Sequence, residues 1–212
     1  MSRIAGVPLR KTGPLTRLVL FFTRRKLLQL TGRETEGMLG PVEAYARIPG
    51  LLMGYGMFEM AAAKLHRVPG RLSVLAELKA ATMTSCEYCI DLGSHIARRA
   101  GVSDAQLLAL HRYRDSDQFS EVEKLVLDYA VGMSSTPVDV PDELFARLRR
   151  ELNDDQIVEL TSLIALENMR GRFNLALGYG SSGFSEGMVC AVPERNSTPR
   201  TAVTHPEGAG TP

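Results

Sequence analysis

Tryptophan is absent from the 212 residues, and the other aromatics are few, with Phe 7 and Tyr 6. So few flat faces argue against a base-stacking platform for single-stranded nucleic acid. Charge of one sign is lacking too. Lys+Arg number 25 and Asp+Glu 24, a net charge of +1, so the surface as a whole offers nothing that would hold a nucleic acid or another polyanion. Long hydrophobic runs are missing. "LTRLVLFFTRRKLLQL" is broken by Arg24, Arg25 and Lys26 and is too short to span a bilayer. "MSRIAGVPLRKTGPLTR" has no apolar core followed by a cleavage site. The expectation is a cytoplasmic protein with no membrane and no nucleic-acid partner. No β-rich run stands out, and cysteine is scarce, with only three.

What is present reads as helix almost throughout. Residues 14–31 form a basic amphipathic segment, a short helix runs to about Ala46, and a longer one runs from about Gly50 to His66, ended by Pro69-Gly70. "RLSVLAELKAATMTS" places apolar residues at 72, 75, 76, 80 and 83, a helical spacing. The next helix starts near the cysteines and stops at Ala100-Gly101. Ser103 with Gln106, Ser120 with Glu123, and Asn153 with Gln156 read as capping boxes. Pro141 suits a first helical position. The fold class expected is all-α. An N-terminal helical arm covers 1–40, one helical domain covers 41–185, and 193–212, polar and rich in Pro, Gly and Thr, is expected to be a disordered tail.

Cys86 and Cys89 stand as C-x-x-C in "SCEYCIDLGSH". Three readings compete. A metal site needs about four ligands, and Cys190 and the four histidines, His66, His95, His111 and His205, offer no paired spacing. A structural pair would be two small core residues. A redox pair has a mechanism: with Thr84 or Ser85 as cap, Cys86 lies in the first turn of a helix and Cys89 on the same face one turn on. The free N–H groups and dipole there favour thiolate over thiol. In a reducing compartment a C-x-x-C is catalytic or metal-binding before it is a staple. A thioredoxin-like βαβ setting is missing.

"AELKAATMTSCEYCIDLGSHIARRAGVS" resembles the alkylhydroperoxidase D and carboxymuconolactone decarboxylase family, over roughly residues 40–180 and most sharply over 74–103. "ALENMRGRFNLALG" resembles its closing helix. The resemblance implies an all-α, alkylhydroperoxidase D-like helical bundle that self-associates into a homo-oligomer. It also implies thiol-dependent reduction of hydroperoxides, with the Cys89 thiolate attacking the O–O bond, Cys86 resolving the intermediate, and an external dithiol protein restoring the pair. No cofactor and no metal are implied. Two positions depart from the family. Its glutamate twelve residues before the first cysteine is Val74 here, with Glu77 one turn further on as the candidate proton carrier. Its histidine four residues after the second cysteine is Gly93, with His95 two residues later.

The remaining candidates weigh as follows. Glu77 is either a general base for the thiols or an ion-pair partner of Lys79 or Arg71. His95 is expected to pair with Asp91 at i,i+4 rather than to act in catalysis. Glu87 and Asp91 are read as solvated, because their charge would raise a neighbouring thiol pKa. Tyr88 either packs or donates a hydrogen bond. Met53, Met57 and Met60 form a stripe of core or subunit interface. Arg170 and Arg172 with Glu167 suggest a buried or interfacial ion pair rather than a substrate pocket. The basic run at 24–26 reads as a solvated helix face or as an arm reaching a neighbouring subunit. Two other functions stay open: a cofactor-free decarboxylase on a small lactone, and a redox-sensing oligomer without turnover.

Overall fold

Capping chemistry marks off the helices. The computed structural model describes residues 2–7 and 12–194, and among these every regular element is helical. α1 (Pro14–Thr31) opens on a proline, whose missing N–H costs nothing in a first turn, and closes at Gly32, whose φ of 70° suits a residue without Cβ. α2 (Gly40–Tyr45) and α3 (Pro49–Ala62) follow, then α4 (Gly70–Thr84), α5 (Glu87–Arg99) and α6 (Asp104–Ala109). A 3₁₀ segment, Leu110–Asp115, leads to α7 (Glu121–Ser134), α8 (Asp142–Glu151) and α9 (Asp154–Leu177). All three expected capping boxes form, at the starts of α6, α7 and α9. Pro141 sits one residue earlier than expected, as the N-cap of α8. α3 stops at Ala62, short of His66.

α4 is the axis of the bundle. Its alanines let helices approach on several sides, so it packs against α5, α7 and α9. One side joins α5, α6 and the 3₁₀ segment in a core around Leu75, Leu78, Leu107 and Leu110. The other joins α7, α8 and α9 around Ala76, Val126, Leu160 and Ile164. Gly171 of α9 meets Thr84 so closely that a Cβ there would lie 2.4 Å from Thr84 Oγ1. A smaller cluster of Leu20, Tyr45, Ala46 and Leu52 ties α1, α2 and α3 together. Tyr45 is sandwiched between Tyr55 and Phe173, with ring centroids 4.2 and 4.1 Å away.

Of the two readings of the Met53, Met57 and Met60 stripe, core is excluded: Met57 is 63% exposed, and Leu52 is the buried residue of α3. Residues 179–194 follow α9 without forming a further helix. They form a strap along α5, with Val189 O accepting from Arg98 and Ala191 N donating to Ser94 Oγ at 3.0 Å. Cys190 belongs to this strap and packs on the core. The tail expected from 193 starts with an anchor, because Glu194 pairs with Lys79 and its N–H donates to Thr82 O. Residues 195–212 lie outside the described residues.

Candidate functional site

Ser85 turns the chain from α4 into α5. It is the one non-glycine residue with positive φ (55°) among those described, and it caps the C-terminus of α4 instead of starting α5. The N-cap of α5 is Cys86 itself, whose Sγ accepts the Cys89 N–H at 3.3 Å. The cause is local. A sulfur at the N-cap takes the place of the usual hydroxyl, which leaves Thr84 bonded back to Ala80 O and Ala81 O. Cys86 and Cys89 are joined as a disulfide, with Cα atoms 5.2 Å apart. Cys86 is fully buried and Cys89 is 8% exposed.

α9 supplies the facing wall. Asn174, buried in its last turn, donates through Nδ2 to both sulfurs, at 3.6 Å to Cys86 and 3.4 Å to Cys89. One turn earlier Arg170 gathers three carboxylates. Glu59 accepts in bidentate fashion at 2.8 and 2.6 Å, Glu77 at 3.1 Å and Glu167 at 2.9 Å. Glu77 therefore pairs with neither Lys79 nor Arg71. Lys79, 1% exposed, is bonded to Leu110 O and Glu194, and Arg71 reaches Glu123. The partner of Glu77 is on α9 because the α4–α9 seam turns both side chains inward. Its carboxylate is bonded to Arg170 and not to a sulfur.

One guanidinium faces three carboxylates, of which Glu167 is buried and Glu59 and Glu77 are half-buried. Burial, with the nearby Glu77 charge adding to it, pushes Glu167 up to about 7 against the opposing pull of Arg170. Its Oε1 has no partner. Burial also raises Glu77 above the usual carboxylate range, despite the Arg170 charge. Burial pushes Glu59 up as well, but its bidentate bond to Arg170 and that positive charge bring it below the ordinary value. Of the three, Glu167 is thus the carboxylate whose proton affinity is pushed furthest toward neutrality.

Asp91 is the clearest departure. It is buried, not solvated, and it does not meet His95. Its Oδ2 accepts from Ser181 Oγ and from the N–H groups of Ser182, Gly183 and Phe184, at 2.7–3.0 Å, and Oδ1 accepts from Ser185 N at 2.7 Å. The strap folds around this carboxylate. Glu87 is exposed, as expected. Tyr88 does both things weighed for it: its hydroxyl donates to Met38 O at 2.6 Å and its ring meets Phe184 edge-on. His95 Nε2 lies 3.2 Å from Leu30 O, which fastens α1. At Gly93, the position of the family's relay histidine, a Cβ would stand 3.1 Å from Leu78 Cδ1, so a larger side chain there would require Leu78 to shift. Arg172 is exposed and bonds Asn168 and Thr136.

Asn174 and Glu59 escaped the sequence reading. For Asn174 a signal existed: 167, 171 and 174 share one face of a helix, and a polar Asn in an otherwise apolar last turn calls for a partner. Among the described residues no three of His, Cys, Asp and Glu are arranged to hold a metal ion, and no helix is long and apolar enough to cross a membrane.

Comparison with known proteins matches residues 49–131 to the Carboxymuconolactone decarboxylase family. The protein YnjA of Escherichia coli (strain K12) is 34% identical over 189 residues, 87% of this chain and 98% of that one. Among solved structures, the debrominase Bmp8 superposes with a TM-score of 0.70 at 22% identity, covering 84% of this chain and 91% of its own. An alkylhydroperoxidase AhpD core protein, described as peroxidase-related, from Ralstonia eutropha JMP134 also gives 0.70, at 16% identity over 86% and 94%. At these identities the structural likeness speaks for the fold.

Proposed function

The chain belongs to the carboxymuconolactone decarboxylase family, and from that premise we propose that it is a dithiol oxidoreductase that reduces hydroperoxides. The observation that carries the reading is the Cys86–Cys89 pair at a helix N-terminus, bonded to each other and facing an amide donor. In the reduced protein the Cys89 thiolate attacks the distal oxygen of the hydroperoxide. The O–O bond breaks, the alkoxide takes a proton, and Cys89 becomes a sulfenic acid. Cys86 then attacks Cys89 Sγ, hydroxide leaves as water with a second proton, and the disulfide forms. A cytoplasmic dithiol partner restores the pair by exchange through a mixed disulfide.

Glu77 is the proposed proton carrier. Its raised affinity for a proton and its place on the α4–α9 seam support that role. The broad apolar face of α1 and α3, with Phe21, Phe22, Met57, Phe58 and Met60 exposed, supports a homo-oligomer. The decarboxylase reading has less support, since Arg170, the half-buried cation of α9 one turn from Asn174, is already taken by three carboxylates.

The test is mass spectrometry of the reduced protein before and after one equivalent of hydroperoxide, on wild type, Cys86→Ser and Cys89→Ser. Loss of two thiols to a Cys86–Cys89 disulfide, with a sulfenic acid trapped on Cys89 in Cys86→Ser, is the expected result. Thiols that stay unreactive toward hydrogen, alkyl and aryl peroxides would sink the proposal. Glu77→Gln is expected to slow oxidation about tenfold to a hundredfold.

A further inference from the structure

We infer that Asn174 is the residue that makes this cysteine pair reducible and reactive, by stabilising the thiolate on either sulfur. The inference rests on the dithiol reading above and deepens it. Its ground is geometric. The side-chain amide carries two N–H bonds, and Nδ2 stands within reach of both sulfurs. Asn174 is buried, so water does not compete for that amide. Its backbone is fixed at the end of α9, where Asn174 O accepts from Tyr179 N at 2.9 Å.

A disulfide sulfur is a weak acceptor, whereas a thiolate accepts charge-assisted hydrogen bonds. The same amide therefore stabilises the reduced pair much more than the oxidised one. That difference lowers the pKa of the pair and raises its reduction potential. An amide relays no proton, so Asn174 acts by stabilising charge and does not replace the family's relay histidine, whose position is Gly93 here.

The pair is also asymmetric. Cys86 Sγ accepts a second bond, from the Cys89 N–H, so Cys86 is the better-stabilised leaving group when the disulfide opens. Cys89 is the more exposed sulfur. When an external dithiol regenerates the protein, its thiolate attacks Cys89 Sγ, the Cys86–Cys89 bond breaks, and Cys86 leaves as the stabilised thiolate. The second thiol of the reductant then attacks the mixed disulfide, releasing Cys89 and carrying away the oxidised dithiol. Two electrons pass from reductant to protein, and the two thiol protons of the reductant end on the pair and on solvent.

The experiment compares wild type with Asn174→Ala and Asn174→Asp. Thiolate formation is followed by ultraviolet absorbance against pH, and the dithiol–disulfide equilibrium by alkylation and mass spectrometry in glutathione buffers. Circular dichroism checks the fold. Asn174→Ala is expected to lower the thiolate population at a given pH about tenfold, and to shift the equilibrium about tenfold toward the disulfide, which is about 30 mV. Asn174→Asp, nearly isosteric, replaces the donor by a negative acceptor and is expected to shift both further in the same direction. It also answers the question if the alanine variant loses its fold. Native-like variants that titrate and equilibrate as wild type does would overturn the role of Asn174 and leave the dithiol reading standing. A wild-type pair that neither reduces in the buffers nor ionises below the ordinary thiol range would overturn the dithiol reading itself. Alkylation of a single-cysteine mixed disulfide provides the last arm: it should accumulate on Cys89 in Cys86→Ser and fail to form on Cys86 in Cys89→Ser. Equal yields would remove the asymmetry.

Discussion

Two buried carboxylates, Asp91 and Glu167, show what a fold does with negative charge. Asp91 accepts hydrogen bonds on both oxygens from five donors, four of them backbone N–H groups of the strap. Glu167 has one oxygen bonded to Arg170 and one with no partner, and it shares that arginine with Glu59 and Glu77. The saturated group acts as a fastener: its charge is matched where it stands, and moving the strap breaks five bonds at once. The under-served group is held close to protonation at neutral pH. Burial alone separates neither case, since both residues are nearly inaccessible. The supply of donors separates them.

The largest expected effect tests the fastener. Asp91→Ala removes the acceptor shared by the strap and should cost about 4 kcal/mol of stability. It should also expose residues 181–194 to limited proteolysis and amide exchange. A strap that stays protected would show that the apolar contacts of Phe184 and Ala191 hold it instead.

Arg170→Met leaves three carboxylates without a counter-charge. The expected loss at neutral pH is about 3–5 kcal/mol. It should shrink in acid, where Glu167 and Glu77 take protons, and chemical unfolding at two pH values reads this directly. A loss that does not depend on pH would point to packing rather than charge.

A subtler change is expected in Glu167→Gln. The folded-state pKa of Glu167, about 7, lies above the ordinary 4.5. The native state therefore holds more protons than the unfolded chain between these values, and its stability falls as pH rises through that window. Glu77 contributes with the same sign and Glu59 with the opposite one. The glutamine variant should show a flatter melting temperature across the window than wild type. An unchanged slope would mean that Glu167 ionises normally.

His95 gives the smallest effect. Its Nε2 bond to Leu30 O ties α1 down, and its Nδ1 has no partner. His95→Ala should cost about 1 kcal/mol and leave the rate of peroxide-driven thiol loss within about twofold, well below an acid–base contribution. A hundredfold loss would make His95 a working replacement for the missing relay histidine.

These contrasts also show how far the residues could be read in advance. The helices and their starts were legible because capping is local: a Ser or Asn followed three residues later by Gln or Glu meets its own backbone. The cysteine pair was legible for the same reason, its spacing being one helical turn. Asp91 was misread because its donors lie ninety or more residues away, in a segment whose Ser and Gly content resembles loose coil. Cys86 as its own cap was missed because sulfur rarely fills the place of a hydroxyl. Glu77 drew attention as a carboxylate near the thiols, but that it bonds Arg170 follows from the packing of α9 against α4.

By itself, then, the sequence determined the helical class, the three capping-box helix starts and the cysteine spacing, because each depends on neighbours within one or two turns. The tertiary structure alone decided which polar groups are satisfied. Asn174 faces the sulfurs, Arg170 serves three carboxylates, and Asp91 holds the strap only because distant helices pack at particular angles. Hydrogen bonds act over a few ångströms, and that distance is set by packing and not by spacing along the chain.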